Sequence, residues 1–279
     1  MGKSSSWTMI LRDYDGNVLI TTQPDHAELS GQLASYWGND QFAAPDPFDV
    51  MVVTALEHDN GWRKWDNRPT IDPKKRFAYD FINLPTINHL TLYRRGIYRA
   101  LNEDPYMGLL VSMHGVGLYN QRYGTDTHLV KQYDTADEKG MVDIFIAEQG
   151  VQQKRLRESL STTPGYKRFS TDNYIWANYK LLQVWDKLSV YFCLKGATDV
   201  VLNAVPLDYN GKETTLTVKK VGENAVNVSP YPFSRSPLTV SLRSRLVPKR
   251  EFADDKSFRE TYYRSERVDL RFTINRITE

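Results

Sequence analysis

Up to Gly196 the apolar positions recur with a helical period. Leu29, Leu33 and Trp37 follow His26 at i+3, i+7 and i+11, which predicts a helix opened by the capping pair Thr22/Asp25 and stopped at Gly38. A second helix is expected over Asp46 to Leu56, with Asp46 as N-cap, Pro47 as first helical residue and Asn60-Gly61 as the stop. It is apolar nearly all round, which predicts burial on every side. Thr135/Glu138 opens another helix to about Leu160, and Ser170-Thr171-Asp172 precedes a long helical pattern from Tyr174 to Lys195, closed by Gly196. Asn60 to Pro85 reads as a long irregular connection of the kind that arches over sites.

Beyond Gly196 the period falls to two. Val200–Val205, Thr214–Val221, Ala225–Val228, Thr239–Val247 and Val268–Ile274 are β-branched runs between turns such as Asn210-Gly211, so an antiparallel sheet is expected. Trp7 to Thr21 reads as two strands around Asp15-Gly16 that join this sheet. The expected fold is α+β: a mainly helical domain over 22–196, with 1–21 and 197–279 forming a β-rich subdomain packed on it.

Composition narrows the function classes. The chain has 279 residues, 41% of them hydrophobic, enough for a sizeable core. No apolar run approaches a membrane span, and Met1 to Ser6 lacks a signal-peptide core; a faint myristoylation pattern at Met1-Gly2 has no second anchor. The single cysteine, Cys193, allows no internal disulfide and fits a reducing, cytoplasmic setting. A net charge of +2 without a basic stripe argues against nucleic acid as partner; the expected partner is a small-molecule substrate. There is no Gly-x-Ser-x-Gly elbow, and Gly115-Val116-Gly117 lacks the lysine of a phosphate-cradling loop.

The candidate chemistry sits in the histidines and aspartates. His58-Asp59 closes the second helix, and a buried imidazole and carboxylate side by side need partners to offset their desolvation; a cation supplies one. His26 lies on the core-facing stripe of its helix, as a metal ligand or as a hydrogen-bonded core histidine. Asp186, with Leu182, Val190 and Cys193 at i−4, i+4 and i+7, also points into an apolar stripe, so a metal or an Arg or Lys must meet it. His128 falls in a polar stretch and reads as a surface residue.

The order His26, His58-Asp59, Asp186, each on a helix, resembles the HD superfamily of metal-dependent hydrolases, and the surroundings of the doublet and Asp186 to Ser189 are similar to its motif neighbourhoods. Pro24–Gly38, Glu57–Trp62 and Tyr106–Tyr119 further resemble a bacterial family described only as a domain of unknown function. The superfamily resemblance covers roughly residues 22–196. It implies a transition metal held by His26, His58, Asp59 and Asp186, and in dinuclear members two further histidines, here His89 and His114. Imidazole and carboxylate together suit iron, then manganese, then zinc, as one or two ions. The alternative for both His114 and His89 is a buried structural histidine, for His114 one bonding a backbone carbonyl.

Three functions are then open. The first is metal-dependent hydrolysis of a phosphoester or nucleotide, with Asp59 in the catalytic set and Arg94, Arg95, Arg99 or Lys187 neutralising phosphoryl oxygens. Arg94 and Arg95 read equally well as a solvated helix surface. The second is an HD-type di-iron oxygenase acting on a small polar substrate. The third is a non-catalytic binding protein whose C-terminal sheet is the interaction surface, with Pro230-Tyr231-Pro232-Phe233 as its pointer or as a satellite core.

Overall fold

The structure, a computed structural model, describes residues 9–81, 83–125, 133, 135–194 and 198–277. His128, Met1-Gly2 and Gly196 lie outside the described residues. Strands β1 (Ile10–Tyr14) and β2 (Asn17–Thr21) form a hairpin whose turn places Asp15 at φ 45° and Gly16 at φ 70°. That left-handed pair matches the right-handed twist of the strands it joins. Helix α1 (Gln23–Ser35) starts at once, capped by Thr22, whose hydroxyl accepts from Asp25 N at 3.1 Å.

Helix α2 (Phe48–Glu57) lies close along α1, because Gly31 leaves room for Leu56: a Cβ on Gly31 would stand 3.0 Å from Leu56 Cβ. The expectation of all-round burial fails here. Met51, Thr54 and Ala55 are buried, while Phe48, Val53 and Leu56 are exposed, since α1, α5 and α7 cover only one side of the helix. Pro47, not Asp46, takes the cap position, with no side-chain cap bond.

The connection from Asn60 to Pro85 is more ordered than its composition suggests. It holds a 3-10 turn (Asn60–Trp62), the short α3 (Arg63–Asp66) and a hairpin of β3 (Ile71–Asp72) and β4 (Phe77–Ala78). Phe77 packs against Phe252 and Phe258, so the hairpin is pinned to the C-terminal part of the chain rather than arched over the site. Helices α4 (Thr86–Glu103) and α5 (Pro105–Gly117) turn sharply at Asp104, whose carboxylate accepts from Tyr106 N at 2.7 Å and Met107 N at 3.0 Å. A 3-10 turn (Gln121–Gly124), α6 (Ala136–Thr162) and α7 (Asp172–Cys193) complete the helical part.

Strands β5 (Val200–Pro206), β6 (Glu213–Lys220), β7 (Ala225–Ser229), β8 (Leu238–Pro248) and β9 (Glu266–Arg276) join the N-terminal hairpin in one sheet, ordered β1-β2-β8-β9-β7-β6-β5. The fold is α+β, but the sheet is mixed rather than antiparallel: β7 and β9 pair in parallel, Ala225 opposite Thr273. Alternating hydrophobicity marks strands without stating which are neighbours. Here β9 inserts between β8 and β7, which run oppositely, so it must be parallel to one of them. A helix not expected from the β-branched runs, α8 (Asp255–Arg264), precedes β9; Asp254 and Ser257 form its capping box.

Helices and sheet share one core. Leu29 and Leu33 of α1, Trp37 just beyond it, and Leu182 and Trp185 of α7 are buried with Val240, Leu242 and Phe272 of the sheet. The Trp37 ring meets Trp185 at 5.9 Å and Phe233 at 5.5 Å, edge to face. Tyr231 and Phe233 of the proline-rich knot thus belong to this shared core. Gln32 of α1 clamps β8 with both ends of its amide, 2.9 Å to Ser241 O and 2.9 Å from Ser241 N.

Candidate metal centre

Four segments bring the site together: α1 supplies His26, the end of α2 supplies His58 and Asp59, α5 supplies His114 and α7 supplies Asp186. All five side chains are buried. His58 is the C-cap of α2, and the chain turns at Asp59 because the next residues, Asn60-Gly61, press onto α4. Arg99 of α4 fastens that turn by donating to Asn60 O at 2.7 Å.

The distances are informative. His26 Nε2 lies 3.0 Å from Asp59 Oδ2, a hydrogen-bond length. His58 Nε2 is 3.7 Å from Asp59 Oδ2 and 3.6 Å from Asp186 Oδ1, and His114 Nε2 is 3.8 Å from Asp59 Oδ1. Those three exceed any normal hydrogen bond, and the buried His58 Nε2 has no hydrogen-bond partner. Two overlapping triads, His26-His58-Asp59 and His58-His114-Asp186, each keep their ligand atoms within 4.8 Å of one another, and His58 belongs to both.

Contacts behind the site decide which nitrogen faces it. His58 Nδ1 donates to Ala55 O at 2.8 Å, which leaves Nε2 directed inward. Ser189 Oγ donates to Asp186 O at 2.8 Å and receives a bond from Ser30 Oγ at 3.0 Å. Its remaining capacity is as an acceptor, so His26 Nδ1, 2.8 Å away, is the donor and His26 Nε2 faces Asp59. His114 Nδ1 lies 3.3 Å from the Gln183 amide nitrogen, while Gln183 Oε1 is buried without a partner. The reverse amide orientation satisfies Oε1 and leaves His114 Nε2 as an inward lone pair. Histidines oriented through their outer nitrogen are typical of metal sites.

Electrostatics report the same gap. Burial lowers the His58 imidazolium, but Asp59 and Asp186 outweigh it and raise it to about 9. Burial raises the Asp59 carboxyl, yet His58, His26 and His114 bring it down to about 2. Asp186 is lowered well below the usual carboxylate range against its own burial, by Arg122 first and then His58. His114 is pulled down to about 4 by burial. Without another cation, a proton on His58 and the guanidinium of Arg122 balance the two carboxylates.

Arg122 has no counterpart in the sequence reading. Its Nη2 lies 2.9 Å from Asp186 Oδ2, and its side chain is 3% exposed. An arginine or lysine opposite Asp186 was one of the expected partners; which one could not be read, because the position follows from a turn with Gln121, Arg122 and Tyr123 at φ 58°, 50° and 56°. Tyr93 also reaches the site, donating to Asp59 Oδ1 at 3.1 Å.

The other candidates are placed elsewhere. His89 is buried beside the site but in neither triad; its Nδ1 meets the Tyr119 hydroxyl, and its ring lies between Tyr93 (4.8 Å) and Trp62 (5.5 Å). Arg94 pairs with Glu148 at 2.7 Å on the exposed side of α4, and Arg99 is engaged with Asn60. Arg95 and Lys187 are half-buried, Arg95 on α4 and Lys187 one residue after Asp186. Cys193 is buried, with its thiol pushed up by that burial, out of nucleophilic range. Among the described residues, no helix is long and apolar enough to cross a membrane.

Comparison with known proteins adds one finding. Searches of curated proteins and of solved structures gave no match. The profile of a family described as "Protein of unknown function (DUF3891)" matches residues 9–249, a span that contains all five convergent side chains and Arg122. The chain belongs to the DUF3891 family.

Proposed function

We propose that the protein is a metal-dependent hydrolase of a phosphoester or nucleotide, with its metal held by His26, His58, Asp59, His114 and Asp186. The observation that carries this reading is the unpartnered His58 Nε2, facing two carboxylates at 3.6 and 3.7 Å in a buried setting. A buried imidazole facing two ionised carboxylates just beyond hydrogen-bonding distance leaves a gap that suits a cation, since buried charge that is only partly compensated costs several kcal/mol. The donor set of imidazole nitrogen and carboxylate oxygen fits iron, manganese or zinc.

A divalent cation bound there would act as a Lewis acid, lowering the pKa of a water and polarising a phosphoryl oxygen. The chain's own groups do the rest. Tyr93 donates to Asp59 Oδ1, which fixes that carboxylate, and His26 Nε2 lies 3.0 Å from its other oxygen. Ser189 and Ala55 hold the outer nitrogens of His26 and His58, keeping both rings aimed inward. With His89 in neither triad and Arg122 on Asp186 Oδ2, the arrangement favours a single ion over the six-ligand, two-iron set of an oxygenase.

Metal content of freshly purified protein, followed by phosphate release from phosphomonoesters, phosphodiesters and nucleotides with Mn²⁺ under anaerobic conditions, tests the reading. Release that disappears in Asp59→Ala is the expected result. Absence of hydrolysis together with Fe²⁺-dependent oxygen uptake would reverse it in favour of oxygenase chemistry.

A further inference from the structure

We infer that Arg122 is the receptor for the phosphoryl oxyanion of the substrate, an inference that rests on the hydrolase reading above and assigns the anion-binding role to a residue outside the α4 arginines. A guanidinium carries five N–H donors in a rigid fork that matches phosphate and carboxylate oxygens two at a time. In this structure one donor is used: Nη2 meets Asp186 Oδ2 at 2.9 Å. Nε and Nη1 are buried and have no hydrogen-bond partner. Leaving buried charged donors unsatisfied is costly, so a side chain kept this way points to an acceptor that arrives from outside.

The backbone supports the same conclusion. Gln121, Arg122 and Tyr123 all have left-handed φ, and none is glycine. Each such residue costs on the order of 1 kcal/mol, and strain of this kind persists where the surroundings hold it for a purpose. Asn120 stabilises the turn by accepting from Tyr123 N at 3.0 Å, and Thr125 Oγ1 donates to Arg122 O at 2.7 Å. The result is an arginine delivered into the centre from a turn. Asp186 is shared between Arg122, on Oδ2, and the His58 triad, on Oδ1, so the guanidinium lies one carboxylate away from the proposed cation. Arg94, engaged with Glu148 at the surface, is not offered to such a ligand.

The test is calorimetric titration of inorganic phosphate into wild type, Arg122→Lys and Arg122→Gln, each with and without Mn²⁺, alongside the Mn²⁺ stoichiometry of each. Lysine keeps a positive charge for Asp186 but lacks the fork, so it should preserve folding and metal uptake while weakening phosphate binding about tenfold or more. Glutamine should weaken it at least as much. Phosphate binding by either folded variant within about twofold of wild type would overturn the assignment, as would a wild type that binds no phosphate. Failure of all three proteins to take up Mn²⁺ would overturn the metal reading alone, because the phosphate titration of the metal-free chain reads Arg122 directly.

Discussion

Gly61 and Gly96 meet backbone to backbone: a Cβ on Gly61 would stand 2.9 Å from Gly96 N and 2.1 Å from Leu92 O. This contact seats the turn after the His58-Asp59 doublet on α4 and so sets where Asp59 meets Tyr93. Gly61→Ala should therefore cost about 2–3 kcal/mol, lower the melting temperature by roughly 5–10 °C and weaken metal binding. Gly150→Ala, on the exposed face of α6 with nothing within 4 Å of the added methyl, should be neutral or slightly stabilising. Calorimetry of the two variants side by side checks the contrast; equal melting temperatures would remove the role given to the Gly61 contact.

Replacing the proposed ligands should separate the convergent set from its neighbour. His58→Ala is expected to abolish metal retention, since His58 belongs to both triads, whereas His89→Ala should retain a stoichiometric ion. Elemental analysis per chain reads the difference. Metal loss in His89→Ala with full retention in His58→Ala would contradict the geometry.

Ser189→Ala removes the acceptor for His26 Nδ1 and the donor to Asp186 O without replacing any of the five convergent side chains. Losing an outer partner of this kind typically costs 10- to 100-fold in metal affinity, so roughly that decrease is expected, with a stability change of about 1 kcal/mol. Competition with a fluorescent chelator measures it.

Stability of the metal-free chain should fall as pH rises from 6.5 to 8. In the folded state His58 is raised from 6.5 to about 9, and Asp66, whose burial outweighs its bond from Gln23 N, is raised from 3.8 to about 8. Across this window both keep a proton that the unfolded chain has released, so the folded state binds more protons and loses ground as pH increases. Asp59, lowered to about 2, contributes fully above 3.8 and does not alter this window. Asp66→Asn should flatten part of the slope, and saturating metal, by displacing the His58 proton, another part. Thermal melts of chelator-treated protein that rise over the same range would be incompatible with these assignments.

Much of the site was legible because its signals are local. His26 on the stripe of Leu29, Leu33 and Trp37, the doublet at the end of an apolar helix, and Asp186 among Leu182, Val190 and Cys193 are helical spacings read from neighbouring residues, and the structure brings their side chains together. Arg122 was not legible, because three left-handed residues aim it and none carries the usual glycine signature. His89 shows the converse: its helical position gives its face, but the Tyr119 hydroxyl that takes its Nδ1 comes from beyond the next helix. For the fold, strand alternation found β5 to β9 but not the parallel β7–β9 pair, since neighbourhood in a sheet is a long-range property. The exposed side of α2 was missed for the same reason: hydropathy marks apolar residues, and only packing says which are covered.

The pairing of β2 with β8, Asn17 opposite Pro248 and Ile20 opposite Arg245, has a kinetic consequence. As the chain emerges from the ribosome, the N-terminal hairpin exists long before its neighbour, with one edge open to other nascent chains. Contacts of such sequence separation place the topology among slow folders, because the entropy of closing so long a loop is spent before the ladder rewards it. Helix α1 leans on β8 through Gln32 and Ser241, so the helix that carries His26 gains part of its anchoring only once β8 has been made. The centre is thereby assembled late, and an incomplete chain carries the residues of the site without its geometry.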